Sequence, residues 1–280
     1  MAVDLRGPLA LLRAPGNALG FLVRRRLRWS RGECALANED KAELFPWLVG
    51  AERDEAEARE RELATLYELA PLHARSTQLH YCENLALLDG LERLFADHEL
   101  PAGALHALDV GCGLFQYATA LQRFLALGRG GPRRVELRGV ELDVHGIHRD
   151  GHSRADHARA HARLAGEGVR FEETDVTRER WPAQDVVTLF YPFLTRRALL
   201  AWGLPLAHFR PRELLSAAAG ALRPGGLLVV ANQTDAEHEL LHGELRALAL
   251  EPLATTSFAS RLVPYAERTV DRVGTLWRRR

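Results

Sequence analysis

From about residue 104 onward, short apolar runs alternate with stretches whose apolar residues recur at helical spacing. The runs have the length of buried strands, and the stretches between them are long enough for helices. Strands that alternate with helices form right-handed β-α-β units, whose parallel strands make a sheet covered by helices on both faces. The pattern therefore predicts an α/β fold with a doubly wound, seven-stranded, mostly parallel sheet. Its predicted strands are residues 105–110, 135–142, 169–172, 186–190, 227–231, 254–260 and 269–277, with the last two closing the sheet as a hairpin.

The chain before residue 101 has helical patterns instead. Residues 36–70 are rich in Ala, Glu, Arg and Leu, and residues 76–97 place apolar side chains at helical spacings. The first 32 residues combine apolar side chains with an arginine cluster at residues 24–26. This segment predicts a helix that packs on the domain with its arginines in water, and an amphipathic helix on a membrane surface is the alternative. We therefore expect a helical N-terminal extension or lid over residues 1–100 and a catalytic domain over residues 101–280.

The composition indicates which binding partners and which cellular compartment to expect. Over 280 residues the formal net charge is +0, which argues against nucleic acid as a partner, because such binding depends on excess Lys and Arg. Cys34, Cys82 and Cys112 lie far apart, with neither a disulfide framework nor zinc-ligand spacing, so a reducing compartment, the cytoplasm, is expected. No apolar run approaches the roughly 20 residues that a membrane span needs.

A glycine turn follows the first predicted strand. Asp109 and Val110 end the strand, and Gly111, Cys112 and Gly113 come next. Glycines at this position let the backbone approach a ligand, and the following helix offers unpaired N–H groups to an anionic group. Because a doubly wound sheet binds its ligand beyond the carboxyl ends of the strands, this turn is the predicted start of a cofactor site.

Carboxylates follow the next two strands. Glu141 ends the second strand and is placed to accept both hydroxyls of a ribose, a spacing that two cofactor classes share. Asp175 follows the third strand and can accept a hydrogen bond from an adenine amino group. In this order the two carboxylates predict a nucleoside pocket.

These motifs resemble those of class I S-adenosylmethionine-dependent methyltransferases over residues 104–280. In that superfamily an acidic residue precedes the first glycine, as Asp109 does, whereas the dinucleotide fingerprint needs a further glycine where this chain has Gln116. The stretches at residues 139–143, 185–190 and 222–230, the last containing Pro-Gly-Gly, are also similar. Phe115 departs from the pattern, since the family often has a small residue there. Either the methionine tail takes a modified path or the ring turns away as packing.

The resemblance implies S-adenosylmethionine as the cofactor. According to this resemblance, the glycine turn surrounds the methionine part of the cofactor and Glu141 binds its ribose. Asp175 binds its adenine, and Phe190 lies near its sulfonium. The implied cofactor-binding residues are Asp109, Gly111, Cys112, Gly113, Glu141, Leu142, Asp175, Val176 and Phe190.

The long connection after the fourth strand, residues 191–208, is the expected acceptor site. Arg196 and Arg197 can hold an acceptor carboxylate or phosphate. Tyr191 and His208 are the candidate catalytic residues, and His208 is also a candidate for substrate binding. Tyr81, from the N-terminal segment, is a candidate cap over the cofactor. Further candidates for a general base or for the acceptor cleft are His80, Asn84, Asn232, Gln233, Asp235 and Glu237.

Five histidines occur between residues 145 and 161. In a helix, His145, His148 and His152 fall on one face and can in principle hold a metal, while His157 and His161 fall on another. Ligand sets normally need supporting carboxylates or cysteines around the ion, so we expect a solvated helix and no metal site.

The expected function is transfer of a methyl group to oxygen or nitrogen of a small-molecule acceptor, such as a natural product. A nicotinamide-dependent oxidoreductase is one alternative, which Asp109 and Gln116 disfavour. The other is a non-catalytic relative of the fold that contacts a membrane surface or a partner through the arginine-rich N-terminus. A macromolecular acceptor and the oligomeric state stay open.

Overall fold

A computed structural model describes residues 11–265 and 272–280 of the chain. Its strands are β1 (Leu105–Val110), β2 (Val135–Glu141), β3 (Val169–Glu173), β4 (Gln184–Phe190), β5 (Leu222–Asn232), β6 (Leu250–Ser257) and β7 (Val273–Arg279). They form one seven-stranded sheet in the order β3-β2-β1-β4-β5-β7-β6. The strands from β3 to β5 pair in parallel, and β7 pairs antiparallel with both β5 and β6. The predicted fold class is confirmed. The first ten residues of the predicted N-terminal helix and residues 269–271 of the last predicted strand lie outside the described residues.

The sheet is covered by helices on both faces. These are α1 (Ala14–Leu27), α2 (Ala51–Leu66), α3 (Ala70–Ala74), α4 (Gln78–Leu94), α5 (Ala118–Leu127), α6 (Arg154–Ala165), α7 (Arg196–Trp202), α8 (Pro211–Ala221) and α9 (Asp235–Ala247). Helices α4, α5 and α6 pack on one face, and α8 and α9 pack on the other. Among the helices of the described ranges, none is both long and apolar enough to cross a bilayer.

Side chains of the strands alternate between these two helical layers. In β1, Ala107 belongs to the core with α4, α5 and α6, and Leu108 belongs to the core with α8 and α9. The segment before residue 101 joins the first core. Tyr67, just after α2, packs against Phe124 of α5 with ring centroids 6.1 Å apart. This segment therefore shares a hydrophobic core with the sheet.

The helices expected over residues 36–70 cover only part of that range. Residues 28–50 are irregular, and α2 begins only at Ala51. Gly50 precedes it with a φ of +55°, a left-handed conformation that a regular helix does not contain, so no helix continues through this position. The helical prediction is therefore wrong for residues 36–50.

The segment after β2 is also a loop, where a helix was expected from about residue 143. Gly151 has a φ of +82°, and α6 begins only after Ser153. Ser153 and Asp156 form a capping box, which satisfies backbone N–H groups at the first turn of α6. His145, His148 and His152 therefore do not share a helical face.

A buried carboxylate ties β1 to β4 and to the start of α5. Asp109 has no exposed surface, and its two oxygens accept hydrogen bonds from Oγ1 of Thr188 at 2.5 Å and from the hydroxyl of Tyr117 at 2.8 Å. Burial raises the pKa of Asp109 to about 7, against the lowering effect of the two hydrogen bonds. The folded protein therefore favours the protonated form.

We expect the stability advantage of the wild type over Asp109→Asn to shrink as pH rises from about 5.5 to 8. The folded-state pKa of Asp109 is raised above its ordinary value, so its contribution to stability is present at low pH and is lost as pH rises through about 7. Melting temperatures measured across this range test the expectation. Asp97→Asn, at an exposed position, is the control. A stability difference between wild type and Asp109→Asn that does not change with pH would contradict it.

Candidate functional site

A cavity of about 620 Å³ lies beyond the carboxyl ends of β1, β2 and β4. The strand order reverses between β1 and β4, and a crevice forms where the connections leaving these strands diverge. The structure brings eight of the nine predicted cofactor residues to its walls. They are Gly111, Cys112, Gly113, Glu141, Leu142, Asp175, Val176 and Phe190. Asp109, the ninth, is buried behind the glycine turn.

The glycine turn leaves open space at the cavity wall. Gly111 and Gly113 have φ of +75° and +58°, a region that side chains other than glycine rarely adopt. A Cβ built on Gly111 would have no neighbouring atom within 4 Å, so the backbone there is open to a ligand. Cys112 lies between these two glycines. Burial raises the pKa of its thiol well above its ordinary value, so this thiol stays protonated.

Glu141 is fixed by the backbone around it. One carboxylate oxygen accepts from the N–H of Gly113 at 2.9 Å, and the other accepts from the N–H groups of Leu142 and Asp143 at 2.9 Å each. A carboxylate has about four acceptor positions, so about one remains for a ligand donor. To bind both hydroxyls of a ribose, Glu141 would have to share or give up one of its hydrogen bonds from a backbone N–H group.

Asp175, which follows β3, also lines the cavity. One of its oxygens accepts from the N–H and the hydroxyl of Thr177, at 3.1 and 2.7 Å, and the other lies 3.3 Å from Nε of Arg178. The side chain thereby caps the 3-10 turn Val176–Arg178. Its position is set by local contacts, as is that of Glu141.

Phe115 is packed away from the cavity. Its side chain has no exposed surface, and a Cβ added to Gly139 of β2 would lie 2.7 Å from its ring. The residue has a φ of +55°. Of the two possibilities stated for this position, the structure has the ring turned away as packing.

Aromatic rings line the side of the cavity near the end of β4. The rings of Tyr117 and Phe190 meet edge to face with centroids 5.2 Å apart, and those of Phe193 and Trp202 lie 5.8 Å apart. This wall is apolar and excludes water from the space beside it.

Tyr191 and His208 both line the cavity. Burial raises the pKa of Tyr191, whose hydroxyl accepts from Nη1 of Arg272 at 3.3 Å, so the phenol stays protonated at neutral pH. Burial lowers the pKa of His208, and Arg210 lowers it further, so its imidazole is neutral at pH 7. The tyrosine is therefore a hydrogen-bond donor and the histidine a proton acceptor.

Three predicted substrate residues lie elsewhere. Tyr81 is buried among the N-terminal helices, where its hydroxyl donates to Glu60 at 2.6 Å. Arg196 starts α7 with its guanidinium 5.9 Å from the ring of Phe209, and Arg197 follows it. The cavity walls formed by the described residues include none of the three.

The other candidates have structural contacts. Asn84 donates to the carbonyls of His80 and Gln116 and accepts from the N–H of Ala120, so it joins α4 to α5. The carboxylate of Glu237 accepts from the N–H of Gln233 at 3.3 Å, within the first turn of α9. Of the remaining candidates, His80 contacts the carbonyl of Gln116, Asn232 is buried, Gln233 lines the cavity and Asp235 begins α9.

Sequence reasoning missed a charged network beside the cavity. Asp143 is 3% exposed and pairs with Arg154 at 3.0 Å and with Arg24 of α1 at 3.2 Å. The guanidinium of Arg154 also lies 4.6 Å from the ring of Trp202. Asp143 was visible as the last residue of a recognised motif, but no sequence signal connects it to arginines 119 and 11 positions away.

Helix α1 packs beside the cavity. Phe21 is buried against Leu199, Leu200 and Leu204, and its ring lies 4.8 Å from that of His208. The side-chain amide of Asn17 donates to the carbonyls of Leu200 and Leu204 at 2.9 and 3.1 Å. Together with Arg24, these contacts hold α1 against both the α7 region and the loop after β2.

No protein-family model and no curated protein matches the chain. Several solved structures are similar to it. A S-adenosylmethionine-dependent methyltransferase from Clostridium acetobutylicum ATCC 824 is 11% identical, with 78% of this chain and 98% of that chain covered and a TM-score of 0.47. N-methyltransferase NodS from Bradyrhizobium japonicum WM9 is 14% identical, with 71% and 96% covered and a TM-score of 0.44. The [4+2]-cyclase SpnF is 17% identical, with 68% and 81% covered and a TM-score of 0.45.

The parallel strands of this protein lie in the order β3-β2-β1-β4-β5, and β7 is inserted antiparallel between β5 and β6. By this strand order, the chain has the fold of the class I S-adenosylmethionine-dependent methyltransferases.

Proposed function

We propose that this protein is a S-adenosylmethionine-dependent methyltransferase that acts on an oxygen or nitrogen atom of a small-molecule acceptor. The observation that supports the proposal is the cavity at the reversal of strand order, where the glycine turn meets the carboxylates of Glu141 and Asp175. These three features follow β1, β2 and β3 in turn. A nucleoside-bearing ligand laid across the strand ends needs them in this order.

The residues present fit this cofactor. The open backbone at Gly111 leaves room for its methionine part, and Glu141 retains an acceptor position for a ribose hydroxyl. Asp175 and Val176 adjoin the space for an adenine. When bound, the cofactor supplies an activated methyl group. The protein then has to orient the acceptor and exclude water, for which the aromatic wall is suited.

His208 is the candidate residue to take a proton from the acceptor. A hydroxyl or amine that receives a methyl group must lose a proton, and a neutral imidazole at the cavity wall can accept it. Burial and neighbouring arginines keep His208 neutral. Tyr191, whose raised pKa keeps the phenol protonated, is suited to orient the acceptor by donating a hydrogen bond.

We also propose that α1 is a lid over this cavity. Asn17 and Phe21 hold the helix to the α7 region, whereas Arg24 pairs with Asp143 in the loop that follows Glu141. The helix thus contacts both the α7 region and the loop after β2, whose residues line the cavity.

Glu141→Ala is expected to weaken the binding of S-adenosylmethionine and S-adenosylhomocysteine by about 1–3 kcal/mol, or about five- to 150-fold, because the ribose loses its acceptor. Calorimetric titration of the purified protein measures this. Glu136→Ala is the matched control, since Glu136 lies exposed near the other end of the same strand and should keep wild-type affinity. Melting temperatures establish that both variants are folded.

Unchanged affinity in Glu141→Ala would place the cofactor elsewhere. Binding of NADH or NADPH by the wild type, without binding of S-adenosylmethionine, would favour the oxidoreductase alternative. If the wild type bound none of these ligands, the non-catalytic alternative would replace the proposal.

Arg24→Gln is expected to speed tryptic cleavage within α1 severalfold, because the helix loses its bonds to Asp143 and to the carbonyl of Gly203. Limited proteolysis followed by mass spectrometry measures the rate at each site. Arg26→Gln is the control, since this variant also removes one arginine of α1 but from an exposed position. Equal cleavage rates in the two variants would overturn the lid proposal.

A further inference from the structure

Residues 28–38 form an extended strap that follows α1 and lies on the loop before α6. Nε1 of Trp29 donates to the carbonyl of Gly151 at 3.0 Å, and Nη1 of Arg31 donates to the carbonyl of Asp150 at 2.7 Å. The hydroxyl of Ser30 donates to the carboxylate of Asp156 at 2.6 Å. These contacts fix the register of the strap against α6.

The strap brings Cys34 to a histidine and a carboxylate that are distant in sequence. Sγ of Cys34 lies 3.4 Å from Nδ1 of His157, and Nε2 of His157 lies 3.1 Å from a carboxylate oxygen of Asp150. One possible ligand atom from each of the three residues lies within 4.8 Å of the others. Sequence spacing had given no reason to expect this group, because Cys34 stands more than 100 positions from its partners.

These separations are close to those of a tetrahedral metal site. Zinc–sulfur and zinc–nitrogen bond lengths place neighbouring ligand atoms about 3.5 Å apart, so Cys34 and His157 already have this spacing. A cation uses only one nitrogen of His157, and the carboxylate of Asp150 must therefore move by about an ångström or somewhat more. Its side chain is 47% exposed in a loop, so this movement is available.

Further imidazoles surround the group. The ring of His148 lies 5.1 Å from that of His157, and the ring of His152 lies 5.9 Å from it. His152 also contacts the carbonyl of Glu33 at 3.1 Å, within the strap. Nδ1 of His152 lies 3.3 Å from a carboxylate oxygen of Asp150, so His152 holds both Asp150 and the strap, as residues around metal ligands commonly do. His148 is then the imidazole left to serve as a fourth ligand, and its side chain must turn toward the cation to do so.

A thiol, an imidazole and a carboxylate in series are also the parts of a nucleophilic relay. A nucleophile must be reached by a substrate, and Cys34 is only 6% exposed. A metal ligand needs no access from a substrate, so the burial of Cys34 beside an imidazole and a carboxylate favours metal binding over nucleophilic attack.

We propose that Cys34, Asp150 and His157 bind a divalent cation of the zinc type, with His148 as the fourth ligand. A thiolate, imidazoles and a carboxylate are a donor set that zinc accepts, and binding releases the thiol proton of Cys34 to solvent. The cation fastens the strap to α6. Because His148 also lines the large cavity, the site joins the N-terminal segment to the cavity wall. This inference does not rest on the proposed function.

Titration of the reduced, metal-free full chain with Zn²⁺, in competition with a chromophoric chelator, tests the proposal. The wild type should bind one equivalent, and Cys34→Ser and His157→Gln should each weaken binding at least about tenfold. Cys82→Ser and His106→Gln are controls for a buried cysteine and an exposed histidine away from the site, and both should bind as the wild type does. Absence of zinc binding by the wild type, or equal binding by Cys34→Ser, would overturn the proposal.

A second measurement reports on the thiolate itself. Co²⁺ bound to the wild type should give a thiolate-to-metal charge-transfer absorption that Cys34→Ser lacks, and Zn²⁺ should slow alkylation of Cys34 at least about tenfold. Peptide mass spectrometry separates Cys34 from the buried Cys82 and Cys112. An alkylation rate of Cys34 that Zn²⁺ does not change would show that the thiol is not a ligand.

Discussion

The reversal of strand order between β1 and β4 is the constraint on which the rest of the structure depends. Right-handed connections from these neighbouring strands diverge, and the space between them becomes the cavity. Asp109 lies at this point, and its hydrogen bonds from Thr188 and Tyr117 join the two strands to the start of α5. Burial raises the pKa of Asp109 to about 7, so ionising this carboxyl inside the protein costs free energy. This cost falls at the point where the crevice opens.

The sheet and the cavity floor were predictable because their signals are local. A strand buried on both faces is mostly apolar, as residues 186–190 of β4 are. The ends of β1 and β2 are marked by a change to glycine and to a carboxylate. Topology then places the ends of parallel strands together without any knowledge of side-chain contacts. This is why Gly111, Glu141 and Asp175 could be named from the sequence, and why they meet at one cavity.

The contacts that hold α1 beside the cavity could not be predicted, because they join residues that are distant in sequence. The pairing of Arg24 with Asp143 spans 119 positions, and either charge alone resembles an ordinary exposed side chain in the sequence. The loop before α6 was mistaken for helix because its apolar and histidine spacing was helical. The backbone is decided there by Gly151 and by the Ser153 capping box, which outweigh side-chain periodicity.

Hydrogen bonds connect the cavity wall to the N-terminal segment. The Glu141 carboxylate accepts the N–H of Asp143, and the side chain of Asp143 pairs with Arg24 of α1. The first turn of α6, which follows the loop that contains Asp143, holds the strap through Asp156 and Ser30. If docking of the N-terminal segment holds Glu141 in this orientation, a ligand that binds more tightly to that orientation must also favour the docked segment, because coupling between two binding equilibria is reciprocal. Hydrogen bonds thus link the cavity wall to a residue 119 positions away in the sequence.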